Sequence, residues 1–212
     1  MTVALFCTAY LPPVAYMAAM LRRHEVAIEA KETFPKQTYR NRAVIVTAGG
    51  VRTLTVPVVR SNHSTTDEVG IDYRQRWNVI HMRTLTAAYA ASPYFLYYRD
   101  DLEALLMRRY DRLLDLNAAL LEWILRLLKV ECKVGMTTDY QLEASPSEGD
   151  YRNTFSPKQP LLSDAFVPYY QVFADRMPFV PNLSVIDLLM NMGPEAANYL
   201  LKLGNTLCLD NG

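Results

Sequence analysis

Surplus charge is the first thing this sequence lacks. Lys and Arg together number 22 and Asp and Glu also number 22. A net charge of zero excludes a protein that holds nucleic acid through a strongly basic surface, though not one with a local basic patch. Cysteine is scarce as well. Cys7, Cys132 and Cys208 are odd in number and far apart, which leaves no disulfide framework and no short metal-ligand spacing. A reducing cytoplasm suits that usage, and no metal is expected. Uninterrupted apolar runs long enough to span a bilayer are missing too, because Glu122, Arg126 and Lys129 break the leucine-rich stretch around Trp123. The first residues have no basic n-region and soon reach Pro12, so they read as a strand rather than a secretion signal. The chain has no phosphate-binding glycine loop, dinucleotide fingerprint, zinc site or serine-hydrolase elbow. It has no internal repeat and no low-complexity tract, and no cofactor can be named.

What is present is a chain of 212 residues, 50% of them hydrophobic, enough for a well-buried core. Val3 to Thr8 reads as a buried strand, Val14 to Arg23 as a helix and Glu25 to Ala30 as a second strand, a βαβ crossover with a parallel pair. A strand from Ala43 meets Gly49-Gly50, a two-residue hairpin turn, and returns over Val51 to Arg60, with Pro57 marking an edge or bulge. After a short strand at Gly70 to Tyr73 the chain turns helical. Helices are expected over Gln75 to Ala91, from Pro93 through Leu106, over Tyr110 to Lys129, over Val185 to Met190 and over Pro194 to Leu203. A strand within Lys133 to Leu142 and a loop at Ser145 to Gly149 lie between them. No composition break divides residues 1–212. The expectation is one α+β domain, with the βαβ unit and hairpin in a mixed sheet and a mostly helical C-terminal half.

The densest polar stretch is Lys36-Gln37-Thr38-Tyr39-Arg40-Asn41-Arg42, which runs directly into a strand. Buried cations need partners, and Arg forks and a Lys suit phosphates and carboxylates. One reading makes the stretch the anion-binding wall of a cleft, and the other makes it a solvated loop before a strand. Trp77 and His81 stand one helical turn apart and share a face. His81, beside Arg74, Arg76 and Arg83, reads either as a neutral general base or as a core histidine bonded to a backbone carbonyl. Tyr89 and Tyr94 belong to an aromatic cluster able to stack on a sugar, although core packing explains most of its rings. Asn182 or Ser184 suits the N-cap of the Val185 helix, and Asp187 complements its dipole. Asp187 is charged among Val185, Ile186, Leu188 and Leu189 and is expected to pair with Arg40 or Arg42.

These pieces together resemble the WbqC-like family of bacterial proteins. The resemblance rests on Tyr10-Leu11-Pro12-Pro13 with Tyr16, the Lys36–Arg42 stretch, Leu54-Thr55-Val56-Pro57-Val58, Trp77 with His81, and Ala88-Tyr89 with Ser92-Pro93-Tyr94-Phe95. Pro181-Asn182-Leu183-Ser184-Val185-Ile186-Asp187-Leu188-Leu189, Asn191 and Gly193-Pro194-Glu195 complete the set. Each piece alone is weak, while the ordered set covers nearly the whole chain. The resemblance implies placement in surface-polysaccharide gene clusters of the O-antigen type, and modification of an amino sugar by acyl or aminoacyl transfer. It carries over no catalytic residue.

The expected function is a cytoplasmic transferase acting on a nucleotide-linked amino sugar, an anionic small molecule, with neither nucleic acid nor membrane as partner. Lys36, Arg40 and Arg42 would hold phosphates, with Gln37, Tyr39, Asn41 and Asn182 completing the binding surface. His81 would take a proton, Asp187 would orient it or a cation, and Trp77 and Tyr89 would pack on the sugar. The alternatives are a non-catalytic binding protein of the same pathway and an internal scaffold of paired charges. All versions of the active site require Arg40, His81 and Asp187 to meet around one hollow.

Overall fold

The computed structural model describes residues 3–141, 149–158 and 163–207. Its centre is a parallel sheet of three strands in the order β1 (Ala4–Cys7), β2 (Glu25–Glu29) and β7 (Lys133–Met136). The apolar runs Ala4-Leu5-Phe6-Cys7 and Val26-Ala27-Ile28 suit a buried parallel sheet. Helix α1 (Val14–Met20) makes the β1–β2 crossover and is buried along its whole length, shorter at its end than the helical pattern suggests. The third strand arrives from more than a hundred residues downstream.

The hairpin of β3 (Arg42–Thr47) and β4 (Gly50–Thr55) forms a separate antiparallel sheet, and β5 (Val58–Val59) with β6 (Gly70–Ile71) forms another. Parallel and antiparallel pairing are both present, as expected, but among the described residues they are divided among three small sheets. The hairpin loop is Ala48-Gly49, one residue earlier than the glycine pair implies, because Thr47 pairs with Gly50 and Gly50 takes the positive φ of 100°. Pro57 interrupts the return strand between β4 and β5, as a residue without an N–H should.

Helices α2 (Trp77–Tyr89), α3 (Phe95–Met107) and α4 (Leu113–Leu128) follow. Helix α4 buries Leu113, Leu116, Leu120, Trp123 and Ile124 and stops at Lys129, which adopts the left-handed cap conformation. The last helices are α5 (Val185–Met192), buried over seven of its eight residues, and α6 (Ala196–Thr206), packed on α1. One cluster of buried side chains runs from Ala4 to Leu207. No helix among the described residues is long and apolar enough to cross a membrane. Cys7 and Cys132 are free thiols. Cys208 and most of the loop expected at Ser145 to Gly149 lie outside the described residues.

Candidate functional site

Two stretches far apart in sequence close on each other at the start of α1. The N–H of Val14 donates to the carbonyl of Leu183, and the N–H of Val185 donates to that of Pro12. Ser184 Oγ donates to the carbonyl of Leu11 at 2.8 Å and accepts from the N–H of Ile186 at 3.3 Å, so it caps α5. Asn182 does not cap α5. It sits at φ 52° and its Oδ1 accepts the N–H of Ala15 at 3.0 Å. Pro13 at the N-cap position has no side chain able to satisfy that orphan donor, so Asn182 caps α1 across the chain. Its assignment to substrate therefore gives way to a structural contact.

The Lys36–Arg42 stretch does not form one surface. Lys36 and Gln37 are exposed, Arg42 is half-buried, and Tyr39, Arg40 and Asn41 are buried. Arg40, 2% exposed, makes a two-pronged ion pair with Glu32, Nε to Oε1 and Nη2 to Oε2, both at 2.7 Å. Its Nη2 also donates to the carbonyl of Arg152 at 3.2 Å. Asn41 Nδ2 donates to the carbonyl of Val56, and the Tyr39 carbonyl accepts from the N–H of Tyr10. Beside this pair, Glu29 at the end of β2 is fully buried and ion-pairs with Arg152, which also holds Asp150. Arg40, the buried cation of the stretch, is thus neutralised by Glu32 from the loop after β2, which fits the scaffold alternative rather than a phosphate wall.

His81 lies 4% exposed in a cluster with Tyr10, Trp77 and Tyr73. Its Nδ1 faces the Tyr10 hydroxyl at 2.9 Å, and its other nitrogen is left for the backbone of Thr55. Burial, more than the nearby Arg52, lowers its pKa to about 4. The neutral state expected from the sequence is therefore present, but burial rather than Arg74, Arg76 and Arg83 causes it. No nitrogen is free to take a proton from a substrate. Trp77 is 3% exposed and Tyr89 is wholly buried, so neither face is available to a sugar.

Asp187 is wholly buried as well. It accepts from the Tyr169 hydroxyl at 2.6 Å and from Gln171 Nε2 at 3.1 Å. It makes no ion pair with Arg40 or Arg42. Loss of water raises its pKa against the lowering pull of Tyr169, Tyr89 and Gln171. Gln171 also spans Val180 through its amide, accepting from the N–H and donating to the carbonyl, so Asp187 latches the segment from Tyr169 to Val180 onto α5. Arg40, His81 and Asp187 belong to three networks with no shared partner, and the expected common hollow is not among the described residues.

A well-formed hollow lies elsewhere. A cavity of about 370 Å³ opens between one face of the parallel sheet and α4. Thr8 and Ala9 lie at its end beyond the carboxyl terminus of β1, Ile28, Val134 and Met136 form its floor, and Ala118, Leu121 and Leu125 form its roof. The crevice outside the carboxyl ends of parallel strands is where open α/β sheets bind ligands. Its polar groups are Thr8, Tyr16, Asn117, Glu122 and Cys132, and no Lys, Arg or His among the described residues lines it. Burial raises the Cys132 thiol, so it is not a ready thiolate.

The pieces in the N-terminal loop, hairpin, α2, α5 and the turn before it now have places in one structure, in the order that the resemblance requires. The sequence profile of the WbqC-like protein family matches residues 8–153 and 162–199. The chain belongs to the WbqC-like protein family. A relative, the "Uncharacterized protein Rv1507c" of Mycobacterium tuberculosis (strain ATCC 25618 / H37Rv), is 27% identical over 227 residues, covering 93% of this chain and 96% of that protein. No solved structure matches. In this WbqC-like chain the most recognisable motif residues hold the fold together, while the hollow is lined, Tyr16 apart, from positions that carry no motif. One of them was open to sequence reading: Asn117 stands on the same face as Leu113, Leu116 and Leu120, a polar group in an apolar stripe. Glu29 and Glu32, acids closely following the apolar run Val26-Ala27-Ile28, were a similar signal for the buried ion pairs.

Proposed function

We propose that the protein acts in bacterial surface-polysaccharide assembly, in the cytoplasm, on a nucleotide-linked amino sugar whose sugar part enters the hollow over the parallel sheet. Acyl or aminoacyl transfer is the reaction: the sugar nitrogen bonds to the acyl carbon, the donor's leaving group departs, and the amine gives up a proton. The hollow itself carries this reading, since its volume and largely apolar walls suit a deoxygenated ring. The resemblance to the WbqC-like family supports the choice of pathway. Without a cation in the lining among the described residues, the diphosphate stays outside, so the anion-binding role moves from buried Arg40 to cations at the surface.

A second reading has its own support. His81 and Asp187 are sealed into the core by Tyr10 and by Tyr169 with Gln171, which favours a non-catalytic protein that binds the nucleotide-sugar or a partner enzyme of the same pathway. A thermal-shift panel of nucleotides, nucleotide-linked sugars with and without an amino group, and acyl donors tests both. A ligand at a hundredfold its Kd stabilises the fold by about 2.7 kcal/mol. The expected result is a rise in Tm with a nucleotide-linked amino sugar. Turnover when an acyl donor is added selects the transferase over the binding protein. No shift with any nucleotide-linked sugar at millimolar concentration removes the transferase and the nucleotide-sugar-binding protein and leaves only the binder of a partner enzyme.

A further inference from the structure

We propose that the hollow recognises a primary amine carried on a small, largely apolar ring, with Asn117 Oδ1 and the Glu122 carboxylate as its acceptors. This deepens the pocket reading above and does not depend on the transfer step.

Asn117 is 2% exposed and lines the hollow. Both hydrogens of its Nδ2 are used, one on Thr8 Oγ1 at 3.0 Å and one on the carbonyl of Arg40 at 2.8 Å. The carbonyl is an acceptor only, so the amide cannot turn over without setting two acceptors against each other. Its Oδ1 is buried and accepts no hydrogen bond. A buried acceptor left without a donor is unfavourable, and an N–H supplied by a ligand relieves it. Arg40 therefore has a part in the site after all: its guanidinium is held by Glu32 while its carbonyl fixes the orientation of Asn117.

Glu122 gives the sign of charge. It lies one helical turn beyond Ala118 on the same wall of α4, is exposed, and makes no ion pair among the described residues. The Tyr16 hydroxyl cannot serve as a donor to an anion, since it is spent on the carbonyl of Cys7 at 2.7 Å. With acceptors on α4 and no cationic side chain, the lining favours an ammonium or amine and disfavours a carboxylate or phosphate. Ile28, Leu121 and Val134 leave no polar group for a ring with hydroxyls on both faces, which selects a deoxygenated one.

The test uses cyclohexylamine and cyclohexanol, titrated into the full chain and followed by NMR on the Asn117 side-chain amide and the Leu121 methyl groups. The amine is expected to half-saturate at a concentration roughly tenfold below the alcohol, because a charge-assisted hydrogen bond replaces a neutral one. Glu122 is exposed, so Glu122→Gln leaves the fold intact, and it should bring the two probes to within about threefold of each other. Ala118→Trp should block both. Equal binding of amine and alcohol, absence of binding by either, or a preference that survives Glu122→Gln overturns the inference. An intact amine preference with no binding of nucleotide-linked sugars supports this inference and counts against the proposed function alone.

Discussion

Asn182 shows how a residue can be singled out correctly and assigned wrongly. Its place before the Val185 helix pointed to a cap, and it is one, but for α1 rather than α5. Asn182→Ala removes the acceptor from a buried helix start and places a Cβ-bearing residue with no local hydrogen bond at φ 52°. The expected loss is about 1–3 kcal/mol in denaturant unfolding, with Asn182→Gly recovering only the backbone part. His81 gives a pH signature. Its folded pKa, about 4, lies below the 6.5 of a free histidine, so between those values the unfolded chain binds more protons and stability must fall as pH falls. The fall from pH 6.5 to 4 is expected to reach about 3 kcal/mol from this group alone. Replacing His81 and Tyr10 together by Phe should flatten that limb in unfolding curves taken across the window. Asp187 works in the opposite sense, since a carboxyl held above its free value loses stability as pH rises through the acid range.

At the scale of elements, the parallel strands are stabilised by acids at their carboxyl ends. Glu29 takes hydrogen bonds from the N–H of Lys31, the hydroxyl of Thr137, the N–H of Gln141 and the guanidinium of Arg152. Glu32 takes the Arg40 fork. Glu32→Gln leaves a buried guanidinium without its counter-charge and is expected to cost about 3–5 kcal/mol, measured by chemical denaturation, whereas exposed Lys36→Ala should cost almost nothing. Gly204 sets the approach of α6 to α1, because a Cβ there would stand 2.6 Å from the carbonyl oxygen of Ala18. Gly204→Ala must push the two helices apart, and a Tm lowered by several degrees is expected. Element types were legible from period and punctuation: β1, α1, β2, the hairpin and α4 fall where apolar spacing, Gly49-Gly50 and the leucine face put them. Pairing was not. Nothing local in Lys133-Val134-Gly135-Met136 says that it joins β2, because a parallel partner is chosen by three-dimensional packing rather than by a turn.

Across the whole molecule, the sequence marks its polar residues but not which of them meet. His81 and Asp187 are titratable groups set in apolar company, Arg40 stands in a polar stretch, and each closes a separate internal network. That company was itself the signal, since a titratable group lodged in a core pattern is more readily satisfied by the core than exposed to a ligand. The hollow escaped notice because its walls are ordinary: leucines and alanines of α4, and valine, isoleucine and methionine of the sheet. A cavity is a property of how elements sit together, and on the buried face of α4 it is Asn117 that breaks the apolar pattern. The central claim is that ligand enters over the parallel sheet and not at the cationic stretch. Calorimetric titration of a nucleotide-linked amino sugar into the native chain, Ala118→Trp and Lys36→Ala tests it directly. The account predicts binding at least about tenfold weaker in the folded Ala118→Trp protein and nearly unchanged in Lys36→Ala. Undiminished affinity with the hollow filled would contradict it.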